Sequence, residues 1–384
     1  MNVYLDNSAT TRPFEEVVAA MSKNMLDGFY NPSALYAQAM HAERAMVDTR
    51  RAIAATLKAG EKNVIFTSGG TESDNLAIWG YLQTQRTPGE VLYTAAEHAA
   101  VKNACLEAEK RFGATAREIP LLSSGSIDLD ALEGMLNERT QLICVMQVCN
   151  ETGVIMPLQE VCALRDRLAP RAAIHVDGVQ GYLRVPFSFQ QYKVQSYALS
   201  AHKIHGPKGV GALVLRDGHR IRPQMAGGGQ QNDLRSGTEN TCGIAGLHAA
   251  VAHYPANAMQ HMTAMKQMLI HLLRDSRPEM VIVGLPEDDP MSAGHILNVA
   301  FPPVRAETLL HALEMEGICV GTGSACSSKK GKHSAVLSAM KCAPAVMEGA
   351  IRISLSPCNT EAEIRYTAEK IIEKVDVLRK FTRR

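Results

Sequence analysis

The chain alternates short apolar runs with helical segments through its first two hundred residues, and this pattern constrains its fold more than any other feature. Strands that alternate with helices form a parallel sheet covered by helices on both faces. The sequence therefore predicts an α/β fold with a mostly parallel sheet flanked by helices. Predicted strands span residues 63–67, 90–94, 115–119, 142–147, 173–176 and 197–199, and residues 209–215 are predicted as an antiparallel strand.

Length and composition predict two domains. The 384 residues are 46% hydrophobic and 21% charged, which is the composition of a globular chain long enough for more than one core. A proline- and glycine-rich stretch at 278–290 marks a change of composition, and predicted strands and helices resume after it. We predict a large domain at 14–255 and a smaller α/β domain formed by 1–13 and 256–384.

Charge and hydropathy argue against two classes of partner. The formal net charge of +1 gives no basic field for nucleic acid, and no apolar run approaches the roughly 18 residues that span a bilayer. The N-terminus lacks the basic and apolar regions of a signal peptide, so we expect a cytoplasmic location. The nine cysteines include no C-x-x-C pair, so we expect no disulfide framework and no metal site.

A lysine follows the last predicted parallel strand. The stretch S-Y-A-L-S-A-H-K-I-H-G-P-K-G-V-G at 196–211 places Ser200, His202 and Lys203 at the end of that strand, where α/β sheets bind ligands. A desolvated lysine amine near other cations loses its proton readily and can form a Schiff base. The alternative is a solvated lysine on a surface turn, and this stretch alone leaves both interpretations open.

A glycine turn and a histidine follow two earlier strands. The turn Ser68-Gly69-Gly70 precedes a helix that begins near Thr71, and its backbone N–H groups can bind an anion such as phosphate. A plain glycine turn is the alternative, since neither a P-loop nor a dinucleotide motif is present. His98 stands where the next strand meets its helix, and it can stack on a ring, move protons or only cap the helix.

Asp177 ends the predicted strand at 173–176 and precedes Lys203 by 26 residues (203 − 177). A carboxylate on the strand beside the lysine can keep a pyridinium nitrogen protonated. Pyridoxal phosphate needs such a partner to act as an electron sink. The alternative is an N-cap, a common use of aspartate after a strand.

Two residues of the C-terminal third also indicate chemistry. Cys326 lies in a polar, basic, glycine-rich stretch at 319–333, where neighbouring lysines favour the nucleophilic thiolate. An exposed thiol on a solvated loop is the alternative. Arg352 stands in the strand-like I-R-I-S-L, where an arginine can grip a substrate carboxylate or form a structural ion pair.

Taken together, these motifs resemble the cysteine desulfurases of the NifS/IscS type, in the class V aminotransferase group of fold-type-I pyridoxal-phosphate enzymes. The likeness covers essentially the whole chain, and the G-S-A-C-S-S form is similar to the subgroup with a long cysteine loop. The motifs are Y-L-D-N-S-A-T-T at 4–11, N-P-S at 31–33, S-G-G-T-E-S at 68–73, E-H at 97–98, N-E-T-G at 150–153, H-V-D-G-V-Q at 175–180, S-A-H-K at 200–203, R-S-G-T at 235–238 and G-S-A-C-S-S at 323–328.

The resemblance implies roles for individual residues. Lys203 forms a Schiff base with pyridoxal 5'-phosphate and moves protons, His98 stacks on the cofactor ring, and Cys326 accepts sulfur as a persulfide. The implied cofactor-binding residues are Lys203, Thr71, Glu72, His98, Asn150, Asp177, Gln180, Ser200, His202 and, from a partner subunit, Thr238. The implied substrate-binding residues are Asn31, Asn150 and Arg352.

The resemblance further implies removal of sulfur from L-cysteine, which gives L-alanine and a persulfide for an acceptor protein, in iron–sulfur cluster assembly or tRNA thiolation. It implies a homodimer. A selenocysteine lyase or another aminotransferase-like enzyme of the same fold is the alternative, as is a non-enzymatic sulfur-transfer scaffold. Cys149 and the pair Gly178-Val179 depart from the residues usual in the family.

Overall fold

The computed structural model describes residues 1–323 and 334–381 of the chain, whose strands form three sheets. In chain order the strands are β1 (Val3–Tyr4), β2 (Val64–Thr67), β3 (Glu90–Thr94), β4 (Thr115–Ile119), β5 (Thr140–Met146), β6 (Ala173–Asp177), β7 (Ser196–Ser200), β8 (Gly211–Leu215), β9 (Val281–Ile282), β10 (Ile296–Ala300), β11 (Ile318–Cys319), β12 (Gly321–Thr322) and β13 (Ala350–Ser354).

The largest sheet has seven strands in the spatial order β2-β8-β7-β6-β5-β3-β4. Every pairing from β7 across to β4 is parallel, whereas β8 runs antiparallel to both of its neighbours. Apart from the exposed edge strand β4 and one residue of β5, its strands are buried, as expected for a sheet covered on both faces. The predicted α/β fold is confirmed, including the single antiparallel strand.

Helices connect and cover these strands. They are α1 (Glu15–Asp27), α2 (Ala37–Leu57), α3 (Gly70–Leu82), α4 (Ala99–Phe112), α5 (Leu129–Met135), α6 (Leu158–Leu168), α7 (Thr241–His253), α8 (Ala258–Ser276), α9 (Ala306–Glu314), α10 (Ala335–Ala339), α11 (Pro344–Gly349) and α12 (Glu361–Arg379). The start of α12 shows a capping box, in which the Thr360 side chain accepts from the Glu363 N–H and the Glu363 carboxylate accepts from the Thr360 N–H.

The C-terminal part of the chain packs around two smaller sheets. One has the order β12-β13-β10-β9 and is antiparallel, and the other pairs β1 with β11 in parallel. The first residues of the chain therefore join its C-terminal third, as Val3 lies opposite Ile318. A second apolar core contains Val3 and Leu5 together with residues of α8, α9 and α12. The domain boundaries at residues 14 and 255 stay a prediction.

The described ranges contain free cysteines and no helix suited to cross a membrane. Within 1–323 and 334–381, the eight cysteines are free thiols, and four of them are buried. Over the same ranges, no helix combines the length and apolar character needed to cross a membrane.

A buried polar network ties α3 to the central sheet. His175 Nε2 lies 3.1 Å from Asp74 Oδ1, and His175 Nδ1 lies 2.8 Å from Ser196 Oγ. All three side chains are at most 3% exposed. Burial lowers the pKa of His175 to about 3, so its imidazole is neutral, and burial raises the pKa of Asp74 well above its usual value. A fully hydrogen-bonded network of this kind fixes α3 against β6 and β7.

We expect the Asp74→Ala variant to lose about 1–3 kcal/mol in the free energy of unfolding, because it leaves a buried imidazole nitrogen without a partner. Urea denaturation at fixed protein concentration measures this loss. Asp275→Ala is the matched control, since Asp275 lies beside His271 at the surface, where the side chains are 64% and 78% exposed. It should change the free energy by less than about 0.5 kcal/mol. Equal effects of the two variants would contradict the role of the network.

Candidate active site

Lys203 lies at the carboxyl edge of the central sheet. It ends a short 3-10 turn, Ala201–Lys203, that follows β7 directly. Its Nζ atom donates to Ser8 O at 2.5 Å and to Ala9 O at 2.8 Å. Burial, together with Arg352 and Arg184, lowers the pKa of Lys203 to about 8, against the opposing effect of Asp177 and Asp6. A lysine in this setting is a nucleophilic amine close to neutral pH.

Asp177 ends β6, the strand that pairs with β7. Register places it opposite Ala198, and its Oδ1 accepts from Val179 N at 2.9 Å. Burial raises the pKa of Asp177, whereas His98, the Val179 amide and Lys203 lower it, in that order. The electrostatic coupling with Lys203 follows from parallel pairing, which puts both strand ends at one edge of the sheet.

Gly178 explains one departure from the family pattern. A methyl group at this residue would lie 1.9 Å from the ring of Tyr197. The Tyr197 hydroxyl donates to Gln147 Oε1 at 2.6 Å and lies 3.3 Å from Gly178 O. The glycine therefore makes room for a buried tyrosine beneath the aspartate. Cys149 is likewise buried, in the turn that follows β5.

The glycine turn after β2 lies beside the same strand end. Gly69 has a φ of +149°, and Gly70 begins α3. A methyl group at Gly69 would lie 3.7 Å from Ser200 Oγ, so the start of the helix faces the end of β7. Backbone N–H groups at a 13-residue helix start, a nearby hydroxyl and the exposed Thr71 suit a phosphate.

The Glu72 carboxylate binds the glycine turn that precedes α3. Its carboxylate accepts from Ser68 N at 2.7 Å and pairs with Arg235 Nε at 2.9 Å. These contacts shape the turn and link it to the loop that carries Thr238. Thr238 itself is exposed.

His98 caps α4, since its Nδ1 accepts from Ala100 N at 3.2 Å. The residue is exposed, and the cap uses one of its two ring nitrogens. The capping interpretation is thus observed, and the stacking role stays a prediction.

Two predicted cofactor residues contact the N-terminal segment. Gln180 Nε2 donates to Ser8 O at 2.9 Å, and His202 Nδ1 lies 3.2 Å from Thr10 Oγ1. Burial, together with the neighbouring Lys203, lowers the pKa of His202 to about 4. The segment that receives the lysine amine therefore also orients Gln180 and His202.

Arg352 lies on β13 and is 4% exposed. It forms an ion pair with Asp6 Oδ1 at 2.7 Å, and its Nη1 donates to Asn150 O at 3.1 Å. Its buried Nε has no hydrogen-bond partner within the described ranges. The structure thus shows the ion pair and brings Arg352 to Asn150, whereas no hydrogen bond in the described ranges joins Asn31 to this cluster.

Sequence reasoning missed several residues that the fold brings to this site. Arg184 is buried and donates to the carbonyl oxygen of Lys203 and to Gln180 Oε1, the latter at 3.2 Å. Glu97 accepts from Met146 N at 2.7 Å, and burial together with Asp177 raises its pKa to about 8. No local pattern marks Arg184, but Asp6 and Glu97 stand in two of the family motifs. Cys326 lies outside the described residues.

The aminotransferase class-V family matches residues 3–366. The chain belongs to this family. A cysteine desulfurase from Cereibacter sphaeroides is 37% identical over 383 residues, which cover 98% of this chain and 96% of that protein. A solved structure described as a NifS-like protein matches with a TM-score of 0.91 and 33% identity, over 98% of this chain and 100% of the other.

Further similar proteins are consistent with this assignment. A solved structure of SspA in complex with cysteine matches with a TM-score of 0.81 and 28% identity, over 94% of this chain and 100% of that one. Relatives that match over nearly their full length carry the name cysteine desulfurase. The predicted family and the predicted enzyme, a cysteine desulfurase, are therefore confirmed.

The lowered pKa of Lys203 leads to a labelling prediction. In protein without cofactor, acetylation of Lys203 should reach half of its maximal rate at a pH of about 8. Lys374 should require a higher pH, because Glu316 and Glu373 raise its pKa. In the Asp177→Asn variant the midpoint for Lys203 should move to lower pH, since the carboxylate that stabilises its charged form is gone. Peptide mass spectrometry reads both lysines, and an unchanged or higher midpoint would contradict the coupling.

Proposed function

We propose that this class-V enzyme binds pyridoxal 5'-phosphate and removes sulfur from L-cysteine, giving L-alanine and a persulfide on Cys326 that passes to an acceptor protein. The observation that carries the proposal is the partly buried amine of Lys203, whose charge interacts with the buried carboxyl of Asp177, beside a glycine-lined helix start. The structural relative SspA, solved in complex with cysteine, supports the choice of substrate.

The residues present fit this cofactor. Lys203 would hold its aldehyde carbon, Asp177 its ring nitrogen, and the start of α3 with Thr71, Ser200 and His202 its phosphate. Gln180, His98 and Asn150 would surround the ring. When bound, pyridoxal phosphate supplies an electron sink for the bond-breaking step.

The chain's own residues would perform the remaining tasks. The lowered pKa of Lys203 lets its amine take up and release a proton near neutral pH. Arg352 would bind the substrate carboxylate through its Nε, which has no partner among the described residues, while Asp6 and Asn150 O hold the guanidinium in place. Asn31 would complete the substrate site.

The sulfur step balances without an external oxidant. The Cys326 thiolate forms an S–S bond to the substrate sulfur while the Cβ–S bond of L-cysteine breaks. The thiol protons complete the methyl group of L-alanine and the persulfide. Carbon Cβ is reduced as sulfur is oxidised to the persulfide level, which is covalent catalysis by one thiol.

We expect the Cys326→Ser variant to keep the absorption band of about 400 nm of a lysine-bound cofactor and to lose alanine and persulfide formation by at least about 100-fold. Amino-acid analysis and mass spectrometry after incubation with L-cysteine measure both products. Cys319→Ser and Cys358→Ser, which change two exposed cysteines, are the matched controls and should stay active. Unchanged alanine release from Cys326→Ser would refute the role. A keto acid formed from L-cysteine would favour an aminotransferase. Selenide released from L-selenocysteine, with no alanine formed from L-cysteine, would favour a selenocysteine lyase.

We further propose that the enzyme is a homodimer whose interface includes α1, α2 and the segment between them. Large apolar side chains are exposed there, namely Met25, Leu26, Phe29, Leu35, Tyr36 and Met40, each at least 50% exposed. A cleft of about 640 Å³ lies between α1, α2 and α7. A cluster of six large exposed apolar side chains is typical of an interface with another protein. In such a dimer, the loop of the partner subunit would bring its own Thr238 to the site.

Replacing Leu26 and Leu35 together with aspartate should weaken dimerisation by about 100-fold, because two charges would be buried without partners. Sedimentation velocity across a concentration series measures the change. Met315→Asp is the matched control, since Met315 is 89% exposed at the end of α9. If the double variant dimerises with unchanged affinity, this surface is not the dimer interface.

A further inference from the structure

Glu151 is a buried acid that the proposed reaction does not use. It is 5% exposed and belongs to the N-E-T-G turn that follows β5. Burial raises the pKa of Glu151, and the Ser334 hydroxyl and Arg352 lower it. A buried carboxyl at this place needs a reason, because desolvation makes it costly.

The carboxylate binds one of the two residues that flank the stretch 324–333 and lies close to the other. Ser334 Oγ donates to Glu151 Oε2 at 2.5 Å. On the other flank, a methyl group at Gly323 would lie 2.6 Å from the same Oε2 and 3.5 Å from the Cβ of Ser334. Two residues that are eleven positions apart (334 − 323) thus meet at one carboxylate oxygen.

Hydrogen bonds fix the turn that carries Glu151. Cys149 N donates to Val154 O at 2.8 Å and Gly153 N to Cys149 O at 2.9 Å, so the turn is closed by backbone hydrogen bonds. Asn298 Nδ2 donates to Glu151 O at 3.1 Å and ties the turn to β10.

The same turn also contains Asn150, one of the proposed substrate-binding residues. Asn150 precedes Glu151, and its carbonyl accepts from Arg352. A methyl group at Gly321 would lie 2.7 Å from Asp6 Oδ1 and 2.9 Å from Arg352 Nη2, so the chain approaching Gly323 runs directly past this ion pair. Glu151 therefore joins the flanks of the cysteine-bearing stretch to the place where the substrate carboxylate would bind.

We propose that Glu151 is a positioning residue for sulfur transfer: its carboxylate holds Gly323 and Ser334 together beside Arg352 and so sets where the chain that carries Cys326 leaves and rejoins the site. Fixing both ends of a segment raises the effective concentration of a group within it. The inference rests on the proposed function of Cys326. It assigns Glu151 to the sulfur step and not to cofactor binding.

Holoenzyme variants with two activity readouts test the assignment. Glu151→Ala should slow persulfide formation on Cys326 by about 10- to 100-fold, since a small misplacement of a reacting group has effects of this size. The exchange of the α-proton of L-alanine in deuterated water, which needs the cofactor site but no thiol, should stay within about twofold of the wild type. Glu151→Gln keeps an acceptor for Ser334 and should recover most of the rate.

Ser334→Ala should reproduce a large part of the loss, since it removes the contact with Glu151 together with the helix cap that accepts from Leu337 N at 3.1 Å. The double variant should be no slower than the slower of the two single variants, because the contact between the two side chains is lost in each of them. The matched control is Ser338→Ala on the same helix, where Ser338 Oγ donates to Ser334 O at 2.7 Å and does not contact Glu151. It should leave both rates unchanged. Equal losses of exchange and persulfide in Glu151→Ala would overturn the proposal and assign the carboxyl to proton transfer at the substrate. An unchanged persulfide rate would also overturn it.

A readout independent of catalysis separates this inference from the proposed function. Trypsin cleavage after Lys329 and Lys330 should be about fivefold faster or more in Glu151→Ala and Ser334→Ala than in the wild type or Ser338→Ala, because the flanks are released. If the wild type forms no persulfide on Cys326, the proposed function fails. Faster cleavage of Glu151→Ala and Ser334→Ala would still support the role of Glu151 in fixing the flanks. Equal cleavage rates in all variants would overturn this role even if Cys326 is the sulfur acceptor.

Discussion

The site depends on the parallel pairing of β6 with β7. This pairing places the carboxyl ends of both strands at one edge of the sheet, so that Asp177 and the lysine turn share a buried environment. Burial alone drives both groups toward their neutral forms, raising the pKa of Asp177 and lowering that of Lys203. Each group opposes the effect of burial on the other: Asp177 favours the protonated form of the Lys203 amine, and Lys203 favours the charged form of the Asp177 carboxyl.

Residues 6–9 of the N-terminal segment hold several side chains of the site in place. Carbonyl groups of Ser8 and Ala9 receive the Lys203 amine, the Ser8 carbonyl also receives Gln180, and Asp6 pairs with Arg352. This segment pairs through β1 with β11 in the C-terminal part of the chain. Lys203 and Arg352 on β13 are therefore connected through a short N-terminal segment.

The departures from the family pattern concern packing. Gly178 makes room for the buried Tyr197, and Val179 packs against the glycine turn, where a methyl group at Gly70 would lie 2.7 Å from its Cγ2. Cys149 is buried inside a turn closed by hydrogen bonds. The residues that would bind or transform a substrate keep the types that the family uses, whereas the residues beneath them have adjusted in size.

Local signals in the amino-acid sequence are enough to predict the succession of strands, the parallel sheet with its antiparallel strand, the family, and the strand-end positions of Lys203 and Asp177, because hydrophobic periodicity and turn residues act over short distances along the chain. Only the three-dimensional structure shows that Arg352 pairs with Asp6, 346 positions away (352 − 6), that Arg184 contacts the Lys203 carbonyl, and that Glu151 binds Ser334 close to Gly323. Such contacts depend on which surfaces the folded sheet brings together. A charged residue carries no local pattern that names its partner, so these pairings appear only in the three-dimensional structure.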